Sequence, residues 1–279
     1  MTVLHCGSHR LSIERPLIMG IVNLTPDSFS GDGVGDDVAA AITHAEAQLK
    51  AGADILDLGA ESSRPGASPV PAEIEIARLR PVLRAVRDWG VPISVDTAKP
   101  EVMSMAIDEG AALINDIMAL RAPGALECVA RSDVGVCLMH MQGEPRTMQT
   151  NPHYVDVVEE VRIFLVARVM ACQAAGIERE RICIDPGFGF GKTVEHNYTL
   201  LRKLRRFVEL GVPVGVGLSR KSMLGAVTGR ENAVARMPAS VAAAVLAVER
   251  GARIVRVHDV AETKDALAVW AATTGREYG

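Results

Sequence analysis

The chain has 279 residues, 48% of them hydrophobic and 23% charged, and a formal net charge of −4. The apolar share supports a large core, while the weak negative charge gives no reason to expect nucleic acid or an anionic membrane as a partner. No uninterrupted apolar stretch approaches the ~18 residues of a membrane span, and Met1 to Arg10 lack the apolar run of a signal peptide, so a cytoplasmic protein is expected.

In chain order, residues 3–13 read as a β-hairpin around Gly7-Ser8. From Leu17 onward one pattern recurs: a helical segment, a glycine, a short β-branched strand, and a polar residue where the strand stops. The strand ends are Asn23, Glu61, Asp96, Asn115, His140, Asp185, Ser219 and His258, and Gly52, Gly90, Gly110, Gly135, Gly176, Gly211 and Gly251 precede the second to eighth strands. A residue without Cβ enters the left-handed region cheaply, which suits a helix C-terminus or turn. Helices fit 37–51, 72–89, 99–109, 123–131, 154–175, 194–210, 238–250 and 260–273; the fifth carries Val155, Val158, Val161, Leu165, Val169 and Cys172 at steps of three and four. This pattern predicts an α/β fold, a (β/α)8 TIM barrel with the N-terminal β-hairpin plugging its bottom and one domain over 1–279, a length ordinary for that fold. Strands closed into a parallel barrel are buried on both sides, so chemistry collects at their carboxyl ends, and the eight polar ends should surround one mouth. The loops 23–36, 59–71 and 140–153 are long enough to be lids over it.

Cys6, Cys128, Cys137, Cys172 and Cys183 are odd in number and scattered along the chain, as expected of reduced packing residues. Phe29, Phe188 and Phe190 lie in glycine-rich strand-end loops, where they either anchor the loops or offer a surface to a flat aromatic ligand. The run Asp185-Pro186-Gly187-Phe188-Gly189-Phe190-Gly191-Lys192-Thr193 is not a phosphate loop: Pro186 and Lys192 stand where the nucleotide-binding patterns need glycine. It reads as an acid at a strand tip followed by a flexible aromatic loop. Asp96, Asn115 and Asp185 together offer two carboxylates and an amide to a heterocycle bearing amino and ring N–H groups, and Lys221 adds a donor beside them. At the last strand Arg256 and His258 face the same side, and Asp259 with Glu262 has the spacing of a capping box. With Arg64 from the second loop they make a candidate phosphate grip, since guanidiniums bind phosphate bidentately and barrels bind it after their last strands.

These segments resemble, in order and over nearly the whole chain, the motifs of bacterial dihydropteroate synthases: Asn23-Leu24-Thr25-Pro26-Asp27-Ser28-Phe29-Ser30, Glu61-Ser62-Ser63-Arg64-Pro65-Gly66-Ala67, Ser94-Val95-Asp96-Thr97, Asn115-Asp116, Met139-His140-Met141-Gln142-Gly143, the Asp185 run, Ser219-Arg220-Lys221-Ser222 and Arg256-Val257-His258-Asp259-Val260. The resemblance implies an enzyme that joins 6-hydroxymethyl-7,8-dihydropterin diphosphate to 4-aminobenzoate, requires Mg2+, forms a homodimer and is a target of sulfonamides. It implies that Asp96, Asn115, Asp185 and Lys221 hold the pterin, with Met139 and Ile117 as apolar neighbours and Arg256 over the ring. Asn23, Arg64, Arg256 and His258 would hold diphosphate, Asn23 through the metal. Phe29, Ser63, Pro65, Phe190, Ser219, Lys221 and Ser222 would form the aminobenzoate pocket, with Asp96, Lys221 and Arg64 nearest the chemistry.

Two departures from the family pattern, Gly59-Ala60-Glu61 and Ser30-Gly31-Asp32-Gly33, fall in the lid loops. They bear on loop conformation rather than on reaction class. A pterin-binding methyltransferase would share the acids and the asparagine but would have no use for Arg64, Arg256 and His258 as a diphosphate grip. A non-catalytic, pterin-binding paralogue is the alternative of another class, against which Asn23, Arg64 and Lys221 argue together.

Overall fold

Each short apolar run in the chain serves two cores at once, and that division fixes the architecture. The computed structural model describes residues 2–25, 37–62 and 66–275. Strands β3 (Leu17–Asn23), β4 (Ile55–Gly59), β5 (Ile93–Asp96), β6 (Leu113–Asp116), β7 (Gly135–Met139), β8 (Ile182–Asp185), β9 (Gly215–Val216) and β10 (Ile254–Val257) form one parallel sheet ordered β8-β7-β6-β5-β4-β3-β10-β9. A bridge between Ile184 and Val214 joins the two ends and closes the cylinder. Alternate residues point to opposite sides of a strand. Ile18, Leu56, Ile93, Ile114, Val136, Ile182 and Val255 therefore join the core shared with the helices, while Leu17, Met19, Ile55, Leu113, Cys137, Cys183 and Ile254 fill the lower interior.

The hairpin of β1 (Val3–Cys6) and β2 (His9–Ser12) closes that lower end, with Leu4 and Cys6 entering the interior cluster and the Gly7 amide donating to the Asp133 carbonyl. The plug expected from sequence is present. The cysteines are free, yet not scattered in space: Cys6, Cys137 and Cys183 meet in the barrel floor, Cys137 directly across from Cys183.

Around the cylinder run α1 (Val38–Ala51), α2 (Ala72–Val86), α3 (Pro100–Asp108), α4 (Ala125–Ala130), α5 (Val157–Ala174), α6 (Val194–Arg202), α7 (Arg205–Val208), α8 (Ser222–Thr228), α9 (Met237–Glu249) and α10 (Val260–Thr273). The glycines before the strands take positive φ as expected, except Gly135. That glycine is required by space instead: a Cβ there would lie 2.9 Å from the His5 carbonyl oxygen and 3.0 Å from Cys6 Sγ of the plug. The single helix expected over 194–210 is two, broken at Lys203-Leu204, and α8 was not foreseen at all. Asp259 stands at the N-cap position of α10, where a helix start is expected from sequence, but it forms no capping box. Its carboxylate makes no cap hydrogen bond and pairs instead with the Arg220 guanidinium at 2.5 and 3.1 Å, because a bidentate cation competes better for it than a backbone amide does. Among the described residues no helix is long and apolar enough to cross a membrane.

Candidate active site

The inward alternation that fills the barrel floor with aliphatics delivers polar groups one step higher. Asn23, Gly59, Asp96 and Asn115 occupy one register row across β3 to β6, and Met139 stands opposite Asp185 across β7 and β8. Arg256, inward on β10, reaches across the top of the cylinder: its Nε donates to Asp57 Oδ2 at 2.5 Å and its Nη2 to Asp96 Oδ2 at 2.9 Å. Asn115 Nδ2 approaches the same Asp57 oxygen at 3.5 Å. Asp57 is fully buried, and its Oδ1 has no hydrogen-bond partner among the described residues.

This crowding of buried acids shows in their protonation. Burial pushes the Asp96 carboxyl up to about 7, with Arg256 opposing the rise and Asp57 adding to it. Burial also raises Asp185, against a hydrogen bond from the Gly187 amide at 2.7 Å and the charge of Lys221. Lys221 is brought down to about 8 by burial, with Asp185 opposing. Its ammonium donates to the Phe188 carbonyl and lies 4.5 Å from the centre of the Phe190 ring. Arg256 is held above an ordinary arginine by Asp57 and Asp96 despite its burial, so it is a permanent cation.

Beside these charges lies an apolar wall. Met139, Met141 and Met148 are buried, with Ile117, Met118 and Phe190 packed against them. Ile117 follows Asp116, whose carboxylate accepts from the Met118 and Leu120 amides at 2.7 and 2.6 Å, and Arg168 holds the Ala119 and Leu120 carbonyls from below. Those contacts sustain positive φ at Ala119 and Leu120, a conformation a non-glycine residue adopts at a cost. His258 lies at the same end of the barrel, its Nδ1 2.9 Å from Ser219 Oγ. Ser222 is exposed at the start of α8.

Of the residues singled out from sequence, Asn23, Asp96, Asn115, Ile117, Met139, Asp185, Phe190, Ser219, Lys221, Ser222, Arg256 and His258 thus gather at the carboxyl ends of the strands. Phe29, Ser63, Arg64 and Pro65 lie outside the described residues. His140 does not face the mouth. It follows inward Met139, so it turns outward and packs edge-on against Phe164, ring centres 4.9 Å apart. Glu61 is likewise tied down, accepting from Val70 N at 2.8 Å and Lys99 Nζ at 2.6 Å. Phe188 is completely buried, an anchor rather than a ligand surface, while Phe190 is partly open. The glycines of the aromatic loop are there for conformation and space: Gly187, Gly189 and Gly191 all take positive φ, and a Cβ at Gly187 would overlap the His140 carbonyl oxygen. Sequence reasoning missed Asp57. The signal was an acid in the middle of the apolar strand Ile55-Leu56-Asp57-Leu58, on the inward parity.

Residues 19–258 match the model of a family described as pterin binding enzyme. A dihydropteroate synthase of Neisseria meningitidis serogroup C is 54% identical over 274 residues, covering 97% of either chain. The structure of a Xanthomonas albilineans dihydropteroate synthase with 4-aminobenzoic acid superposes with a TM-score of 0.92 at 52% identity and 98% coverage of both chains. That of a Burkholderia cenocepacia dihydropteroate synthase complexed with 7,8-dihydropteroate gives 0.90 at 50% identity, covering 98% of this chain and 97% of that one. The chain belongs to the pterin-binding enzyme family, among its dihydropteroate synthases.

Proposed function

We propose that this protein condenses 6-hydroxymethyl-7,8-dihydropterin diphosphate with 4-aminobenzoate, giving 7,8-dihydropteroate and diphosphate. The observation that carries the reading is the gathering of Asp96, Asn115 and Asp185 with Arg256 and Lys221 at the carboxyl ends of the strands, in a chain half identical to proteins of that name. Acids and an amide side by side suit the amino and ring N–H groups of a pterin, and Met139 and Ile117 supply apolar surface for its rings. Arg256 and His258, with Arg64 from the second loop, suit the diphosphate.

The reaction needs no side-chain nucleophile. The bond from the methylene carbon to the diphosphate oxygen breaks first, and the diphosphate leaves with the electron pair. The pterin ring spreads the resulting positive charge, which Asp96 and Asp185 oppose from close by. The aromatic amine then attacks the methylene carbon and gives up a proton. Phe190 and Lys221 form one wall for the aminobenzoate, with Ser219 and Ser222 at the same end and Phe29, Ser63 and Pro65 from the loops. Excluding water from this cavity keeps the cation for the amine.

Mg2+ suits this chemistry as a charge-neutralising partner of the diphosphate. The described residues include no group of three or more His, Cys, Asp or Glu side chains that could hold a metal by themselves. Asn23 fits it as one neutral oxygen among ligands completed by phosphate and water, the usual situation for this ion. We expect a homodimer as well, with α9, where Leu246 is exposed, as the candidate face. The test of the function is diphosphate release from the pterin substrate with and without 4-aminobenzoate. Release that depends on the amine and yields a condensed product is expected; no release, or release indifferent to the amine, would overturn the reading.

A further inference from the structure

Lys192 closes the run that resembled a nucleotide loop, and none of the roles above uses it. Its side chain is buried, with 3% of the residue exposed. The Nζ lies 2.8 Å from the Gly187 carbonyl oxygen, 3.0 Å from the Phe190 carbonyl oxygen, 3.0 Å from His140 Nδ1 and 3.4 Å from the His140 carbonyl oxygen. Every N–H of an ammonium finds an acceptor there, whereas a neutral amine would aim its lone pair at one. His140 is fit to accept: burial and the neighbouring Lys192 bring it down to about 3, so its ring is neutral. Burial lowers Lys192 itself well below a free lysine, and Asp185 opposes that fall.

The turn that wraps this ammonium spends all its other carbonyls on side-chain donors. Phe188 accepts from Lys221, Gly189 from Gln149 and Gly191 from the Tyr154 hydroxyl at 2.9 Å. The Gly189 amide in turn donates to the buried Asn197 at 2.7 Å. The positive φ angles of Gly187, Gly189 and Gly191 turn the peptides so that these oxygens are presented to the donors. Lys192 thus stands as an internal cation inside a carbonyl cage, joining the end of β7 to the segment that carries Phe190.

We propose that Lys192 is a positioning residue for the second substrate: its ammonium fixes the turn 187–191, which sets the Phe190 ring and the Phe188 carbonyl on which Lys221 rests. This rests on the function proposed above, so wild-type condensation, measured alongside, separates a failure of that reading from a failure of this one. Lys192→Met keeps the length and apolar stem and removes the donors. The variant should fold and raise KM for 4-aminobenzoate by about tenfold or more, with a smaller rise for the pterin diphosphate: Asp185 and Lys221 touch the loosened turn, but Asp96, Asn115 and Arg256 do not. Adding ethylammonium to Lys192→Ala should bring the 4-aminobenzoate KM back toward the wild-type value, which a residue serving only as filler would not do. A folded Lys192→Met enzyme with an unchanged 4-aminobenzoate KM, an equal rise in both substrate constants, or absence of amine rescue would overturn the proposal. If neither Lys192 variant folds, the double variant Tyr154→Phe with Gln149→Ala loosens the same turn from its outer side; it must raise the same constant, and no change there overturns the proposal equally.

Discussion

Asp57→Asn tests the electrostatic arrangement at its least visible member. The side chain is completely buried, its Oδ2 accepts from Arg256 Nε at 2.5 Å, and its partner's side chain is 25% exposed. Removing one member of a buried ion pair typically costs ~3–5 kcal/mol. Here Arg256 keeps Asp96 at 2.9 Å and the amide oxygen of asparagine can still accept, so a loss of about 2–3 kcal/mol is expected. The catalytic effect should be selective. Without Asp57 the guanidinium leans on Asp96 alone and occupies the carboxylate proposed for the pterin, so KM for the pterin diphosphate should rise by roughly 10–100-fold, equivalent to about 1.4–2.7 kcal/mol. The 4-aminobenzoate constant should change little. Urea unfolding followed by the fluorescence of Trp89 and Trp270 gives the first quantity, and initial rates with each substrate varied give the second. Adding Arg256→Met should abolish the activity; it leaves Asp96 buried without its cation, so stability should return only at the lower pH where that carboxyl takes up a proton. A variant with wild-type stability and a wild-type pterin constant would refute the claim that Asp57 holds Arg256.

Other expectations follow from single contacts. Asp96 has its pKa raised from 3.8 to about 7 by burial, so between those values the native state binds the proton and the unfolded chain does not. The contribution of this group is full below the unfolded value and is lost as pH rises through the folded one; between about pH 5 and about pH 8 the wild type should lose more stability than Asp96→Asn, and equal losses would contradict the assignment. Gly187→Ala places a Cβ against the His140 carbonyl at a positive φ, so 4-aminobenzoate turnover should fall steeply while the far-ultraviolet spectrum is retained; a fully active variant would show that the turn can move aside. Arg181, buried beneath the barrel wall, donates to Val134 O at 2.9 and 2.7 Å and to Val129 O at 3.1 Å. Arg181→Met should therefore cost about 2–3 kcal/mol in denaturant unfolding while kcat of the folded fraction stays unchanged; a reduced kcat would mean that the wall and the mouth are coupled.

Much of this arrangement is legible along the chain because it depends on local period. The β-branched runs, the glycines before them and the polar residues that end them announce a parallel barrel, and strand parity alone puts Asp96, Asn115, Asp185 and Arg256 on one surface. Parity also explains the error at His140: the polar residue beyond an inward Met139 must turn outward, however much it resembles the other strand ends. What stays hidden depends on partners far away in the chain. Asp57 meets Arg256 across 199 positions, and Lys192 meets His140 across 52, so neither has a local signature. Asp259 has the local signature of a cap, yet Arg220, 39 positions earlier, takes its carboxylate. The break between α6 and α7 falls at Lys203-Leu204, inside a segment whose residues all tolerate helix. Leu204 is completely buried there, and tertiary packing rather than propensity sets the interruption.

The thiols gathered in the barrel floor give the molecule a built-in clock for its own opening. Cys6, Cys137, Cys172 and Cys183 are buried, whereas Cys128 is partly accessible. An alkylating reagent can reach Cys128 on the folded protein, but Cys137 and Cys183 only when the hairpin lifts away or the cylinder parts. Mass spectra taken after timed pulses would therefore separate single adducts, which count exposed surface, from multiple adducts, which count excursions of the whole barrel. If Cys6 and its two neighbours acquire label together while Cys172 stays protected, the plug is a separate door; if all four go at once, it is part of the wall.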